Sequence, residues 1–204
     1  MKKIYLNLIL LFGQSTDSIK PNFVPGGKPI VTVYSDFSHV SSNGRSNNAF
    51  EISRAYLGYG YNFSSDFSGR IVFDVANSAG LSPSAFTAFL KNAYGEYSHR
   101  FLKVDVGMIG ESMFDLQETI WGKRYLYKSF QDQYGFGSSA DLGAKVKLQF
   151  IPQVSLDFEV LNGEGYKKVQ SDSTLQLAAG LTIQPIKNLY ARVYFDYLNY
   201  VKIP

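Results

Sequence analysis

The 204-residue sequence predicts an all-β protein, an antiparallel up-and-down transmembrane β-barrel, with about nine strands in this chain. Three observations carry this expectation. After Gly27, apolar and polar residues alternate at period two, which sorts side chains onto opposite faces of a strand and not of a helix. The connections between these stretches are alternately short and long, so one end of an up-and-down sheet holds tight turns and the other long loops. The rings (16 Phe, 15 Tyr and one Trp in a chain only 18% charged) fall into two groups, one near each end.

In chain order, Met1-Lys2-Lys3 followed by the apolar stretch 4–12 has the layout of a secretory signal peptide, assigned to 1–14, with 15–28 as a lead-in. The first strand sets Val31, Val33 and Phe37 against Thr32, Tyr34 and Asp36. The second sets Ala55, Leu57, Tyr59 and Tyr61 against Arg54, Tyr56 and two glycines; Phe50, Glu51 and Ile52 fall out of phase before it, so a bulge or an extension past the sheet is expected there. Ile71, Phe73 and Val75 oppose Arg70 and Asp74 in the third strand, and Ala93 and Tyr97 oppose Asn92, Tyr94 and Glu96 in the fourth. In the fifth, Leu102, Val104, Val106 and Met108 oppose Lys103 and Asp105. The sixth is the clearest: Ala140, Leu142, Ala144, Val146, Leu148 and Phe150 alternate with Asp141, Gly143, Lys145, Lys147 and Gln149. Val154, Leu156, Phe158 and Val160 against Ser155, Asp157 and Glu159 make the seventh. Leu175 to Ile183 and Leu189 to Tyr197 repeat the pattern, the last with Arg192 and Asp196 on its polar face.

The short connections fall at 62–66, 98–101, 151–153 and 185–188, the long ones at 39–48, 77–88, 111–138 and 162–173. Tyr59, Tyr61, Phe63, Phe67, Tyr97, Phe101 and Phe150 gather near the short turns; Phe37, Phe73, Phe89, Phe158, Phe195 and Tyr197 lie toward the long loops. Rings at both membrane–water boundaries are the girdles of an outer-membrane barrel. Only Glu51 and Lys91 are charges that this phase puts on the apolar face, both near its long-loop end, where a charge is cheap. The other architecture compatible with alternation is a soluble exported barrel or sandwich with the apolar face turned inward around an apolar ligand.

Little in the chain points to catalysis. There is no cysteine, and His39 and His99 are expected at opposite ends of the sheet, where they share neither a metal nor a triad. No phosphate-cradling or nucleotide-binding glycine motif occurs, and Lys and Arg are scattered, so no catalytic residue, metal, cofactor or nucleic-acid partner is expected. The polar strand face is the better candidate. It carries the cations Arg54, Arg70, Lys103, Lys145, Lys147 and Arg192 among the carboxylates Asp36, Asp74, Glu96, Asp105, Asp141, Asp157, Glu159 and Asp196. A wall of mixed sign reads as an aqueous path for small solutes without a bulk preference. The aromatic-rich connection 111–138 is expected to fold inward and narrow it, with an acidic half (Glu111, Asp115, Glu118) followed by a basic one (Lys123, Arg124, Lys128).

The run Glu118-Thr-Ile-Trp121-Gly122-Lys123-Arg124-Tyr125, with Lys128-Ser129-Phe130, Ser139-Ala140-Asp141-Leu142-Gly143 and Asn162-Gly163-Glu164-Gly165-Tyr166, resembles the phosphate-selective porin family, porins O and P and their relatives. Phe50-Glu51-Ile52-Ser53-Arg54-Ala55-Tyr56-Leu57-Gly58-Tyr59 resembles the early strand of that family, so that the likeness spans 31–166. The resemblance implies a homotrimeric outer-membrane channel of Gram-negative bacteria with about sixteen strands, a third long loop folded inward (here 111–138), and passage of ions, anions such as phosphate included. It also implies an arginine ladder, to which Arg54, Arg70 and Arg192 correspond, and constriction cations, to which Lys123, Arg124 and Lys128 correspond. The sequence departs from that pattern in matching its cations with carboxylates. An odd strand number, with no aromatic among Val201-Lys202-Ile203-Pro204, leads to the expectation that 29–204 is the first part of a larger barrel.

Overall fold

The computed structural model describes residues 23–77 and 85–198; the segment assigned as a signal peptide and residues 199–204 lie outside them. Among the described residues the chain forms nine strands: β1 (Gly26–Ser42), β2 (Arg45–Asn62), β3 (Phe67–Asn77), β4 (Phe86–His99), β5 (Leu102–Gly110), β6 (Ala140–Ile151), β7 (Val154–Leu161), β8 (Gln176–Ile186) and β9 (Leu189–Leu198). They make one open antiparallel sheet in which order in space is order in the chain. Each stretch of period-two alternation is a strand. Two helices, α1 (Ser112–Trp121) and α2 (Phe130–Tyr134), lie in the connection between β5 and β6.

The sorting of connections holds at one end, where tight turns occupy 63–66, 100–101, 152–153 and 187–188. At the other end the expectation of a long loop at 39–48 is wrong. Its polar composition reads as loop, yet β1 and β2 stay paired up to Asn43-Gly44. Both turn residues have positive φ, 52° and 76°, as a two-residue hairpin turn that follows the strand twist requires. The β1–β2 hairpin therefore outruns the strands beside it. The lead-in is also shorter than expected, since β1 starts at Gly26.

Two β-bulges correct the placement of both charges assigned to the apolar face. Ser53 is an extra residue in β2, because Arg54 opposes Tyr34 while Ile52 opposes Ser35. The bulge shifts the phase by one, so Glu51 opposes Asp36 on the polar side and Phe50 meets Phe37 on the other, ring centroids 4.8 Å apart. Lys91 is the extra residue in β4 between Asn92, opposite Val72, and Leu90, opposite Phe73. It turns onto the polar face and donates to the Tyr56 hydroxyl at 3.3 Å. The same shift takes Phe89 out of its expected ring cluster: it opposes Asp74, with the Lys167 ammonium 5.1 Å from its ring centre.

Burial is reversed relative to a soluble sheet. Asp74, Asp105, Asp141, Lys145, Asp157 and Glu159 are buried, whereas Val31, Leu57, Phe73, Val106, Phe158, Val193 and Phe195 on the opposite face are exposed. Among the described residues few apolar side chains are buried, with Val72, Ile109, Phe114 and Leu161 the large ones. Near the tight turns rings touch in two groups: Tyr61 with Phe63 and Phe63 with Phe67, centroids 5.0 and 5.5 Å apart, and Phe101 with Phe150 at 4.8 Å.

Candidate functional site

The polar face is built by register. Directly opposed residues share a face, so Glu96, Asp105, Lys145 and Glu159 line up across β4 to β7. One pleat nearer the tight turns, Lys103, Lys147 and Asp157 line up across β5 to β7. Charges of opposite sign interlock within and between these rows. Lys103 lies 2.7 Å from Glu96, and Arg192 of β9 grips Asp157 with two bonds of 2.7 Å while donating to Thr182. Two parallel bonds from a planar guanidinium fix geometry as well as charge.

Onto this face folds α1. Leu116 and Ile120 share one side of the helix and Asp115 and Glu118 the other, as spacings of three and four dictate. Asp115 sits in the first turn, where the helix dipole favours an anion, and Gly122 ends the helix in the left-handed conformation, φ 55°. The free amides of the first turn need acceptors, and a strand supplies one. The Ser112 amide donates to Glu159 at 2.8 Å and the Ser112 hydroxyl to Asp157 at 2.6 Å. Lys145 completes the anchor, donating to the Gly110 carbonyl at 2.7 Å and to Asp115 at 3.0 Å, with Asp105 and Glu159 each 3.9 Å away. The start of α1 therefore lies on the polar face, against β6 and β7.

The helix parts the polar face into two clefts. The larger, about 380 Å³, lies toward β1–β5, where Arg70, Lys91, Lys103 and Lys145 face Asp105, Asp115 and Glu118. The smaller, about 300 Å³, lies toward β6–β9 between α1 and Lys147, Asp157, Thr182 and Arg192. Among the described residues, Arg70, Lys91 and Lys147 form no ion pair, whereas the other strand cations of the clefts do. Burial, offset in part by the nearby Lys91 charge, raises the Glu118 carboxyl above its ordinary range.

A second crossing was not legible in the sequence. Tyr166, in the 162–175 connection, donates its hydroxyl to Asp74 of β3 at 2.6 Å, and Asp74 also holds Arg54 at 3.2 Å. Burial and this bond to a carboxylate raise the Tyr166 hydroxyl far above its ordinary value, so it acts as a donor at every physiological pH. Asp141 accepts from the Gly163 amide at 2.5 Å and so secures the start of the same connection.

All twelve strand residues singled out from the sequence lie on the polar face: Arg54, Arg70, Asp74, Glu96, Lys103, Asp105, Asp141, Lys145, Lys147, Asp157, Glu159 and Arg192. The loop residues divide. Glu111, Asp115 and Glu118 sit at the start of or along α1. The basic half turns to its own loop instead: Arg124 and Lys128 bind Asp132 of α2 at 3.0 and 3.8 Å, and Lys123 is exposed near Tyr125.

Glu111 is the titratable part of the anchor. It is buried, and one of its carboxyl oxygens has no hydrogen-bond partner. Burial first, then the carboxylates of Glu159, Asp141 and Asp196, push its carboxyl up to about 8 from 4.5. Between those values the folded chain binds a proton that the unfolded chain has lost. Docking of α1 is then strongest below about 4.5 and weakens as pH rises through about 8. Amide hydrogen exchange in 111–121, corrected for intrinsic rates, is expected to accelerate across that window and to change less in Glu111→Gln. Equal pH profiles in the two proteins would remove Glu111 from this role. No protein-family model, curated protein or solved structure matches this chain.

Proposed function

We propose that this chain is part of an outer-membrane porin, a water-filled channel for passive diffusion of small hydrophilic solutes or ions, anions such as phosphate among them. The observation that carries the reading is the reversed burial: a charged face under a helix and an apolar face left exposed. Lipid is the solvent that rewards such a surface, and a closed sheet is how strands satisfy their backbone in it. On this reading the sheet closes at about sixteen strands and three copies associate, as the resemblance implies. The clefts on either side of α1 are its aqueous path, and diffusion through them requires no catalytic group.

Single-channel recording of the full-length protein tests the reading. Stepwise conductance is expected, and a folded, inserted preparation that conducts nothing overturns it. Ion preference is expected to follow the unpaired cations. Joint replacement of Arg70, Lys91 and Lys147 by Gln should move the reversal potential in a salt gradient toward cations. Joint replacement of Lys123, Arg124 and Lys128 should move it less, because Asp132 already neutralises part of that charge. The opposite ranking would return the constriction to the basic half of the loop.

A further inference from the structure

The larger cleft on the polar face has walls of opposite sign. Asp115 and Glu118 line it from one side of α1, and Arg70 and Lys91 line it from β3 and β4. Most charges of this face offset one another, but three here do not. Among the described residues, Arg70, Lys91 and Glu118 form no ion pair. A solute can reach all three. Arg70 is exposed, Lys91 and Glu118 are half-buried, and neither Glu118 oxygen is sealed from solvent. The Lys91 ammonium is held 4.7 Å from the centre of the Tyr56 ring and donates to its hydroxyl, which leaves further donors free. Asp115 adds a second anion to the helix wall and stays largely exposed although it binds Lys145.

A simple anion drawn to Arg70 and Lys91 would stand against Glu118 and Asp115. A simple cation drawn to the carboxylates would stand against Arg70 and Lys91. Like charges so placed weaken either complex. A solute that carries both charges meets an opposite one at each end. At about 380 Å³ the cleft is near the small end of ligand sites, so such a solute has few atoms. Burial keeps the Glu118 carboxyl raised even beside Lys91, so a further cation is what it lacks. We propose that this cleft binds a small zwitterion, an amino acid whose carboxylate lies at Arg70 and Lys91 and whose ammonium lies at Glu118 and Asp115. The proposal deepens the channel reading and rests on it for its meaning, since a solute held on the polar face would be in transit.

Saturation-transfer NMR on full-length protein in detergent micelles is run with glycine and with γ-aminobutyrate, which hold the two charges at different separations. Butyrate and butylammonium, each with one of the charges on a similar chain, are the comparison at constant ionic strength. Part of the same preparation is recorded in planar bilayers. The expected result is saturable binding of at least one zwitterion, about tenfold tighter than of either singly charged solute, equivalent to about 1.4 kcal/mol. Glu118→Gln and Arg70→Gln, both at the cleft surface, should each weaken it by about the same factor. A conducting protein that binds neither zwitterion, binds butyrate or butylammonium as tightly, or is unchanged in both variants overturns the proposal and leaves the channel standing. Zwitterion binding that both substitutions weaken, in a protein that does not conduct, supports the site and overturns the channel.

Discussion

Replacing Lys145 by methionine is expected to release α1 from the sheet and to lower the free energy of unfolding by about 3–5 kcal/mol. The side chain keeps most of its length, so the loss is that of the charge and its donors. Asp105 and Glu159, both buried, would face one another across the row with no cation between them, and the Gly110 carbonyl would lose its donor. The pair with Asp115 adds little, because that carboxylate is 58% exposed and solvent screens it. Lys145→Arg keeps the charge and should retain most of the stability. The checks are the denaturant midpoint in micelles and, on the channel reading, a larger and noisier single-channel current as the helix leaves the path. A midpoint and current equal to those of the unsubstituted protein would remove Lys145 from the anchor.

Gly143→Ala is expected to prevent assembly of the sheet. Gly143 lies opposite Gly107 in β5. A Cβ there would overlap the Val160 carbonyl oxygen and come within 2.9 Å of the Leu161 Cα. Those are backbone atoms of the neighbouring strand, which cannot rotate aside as a side chain does. β6 and β7 would have to part beside Lys145 and Glu159, at a cost of about 4 kcal/mol or more. Gly60→Ala is the control, since a Cβ there meets nothing nearer than 3.9 Å. On the channel reading, the amount of folded protein recovered from membranes, read by unheated gel electrophoresis, should fall sharply for the first variant and little for the second. Equal recovery would mean that β6 and β7 tolerate the separation.

Strand number and facing were legible because alternation is a local property. Asp141, Lys145 and Lys147 announce the polar face of β6 by parity alone, with no knowledge of the neighbouring strand. The bulges at Ser53 and Lys91 were not legible in position, because one inserted residue leaves no mark in composition. The phase break before Arg54 hinted at the first, while Lys91 merely looked misplaced. That 111–138 would carry structure could be expected from its length and rings, but the anchor of α1 on the polar face could not. That Ser112 reaches Asp157 and Glu159 depends on register across three strands. The partners of Arg124 and Lys128 were hidden for the same reason: Asp132 is close in the chain, yet only the turn that opens α2 brings it within reach. Tyr166 shows the limit most clearly, since its acceptor lies on β3, far back in the sequence.

The identity of spatial and chain order has a consequence for how the molecule is put together. Each new strand finds its partner in the strand just made, so the sheet can grow by adding hairpins at one margin. The widest closure, across 111–139, costs only about 0.6 kcal/mol more than that across 162–175, which is about half its length. The partners of α1, however, are on β6 and β7, which follow it in the chain. The helix can seat only when β6 and β7 have paired and brought Lys145, Asp157 and Glu159 together, so docking of α1 reports that this part of the sheet is in register.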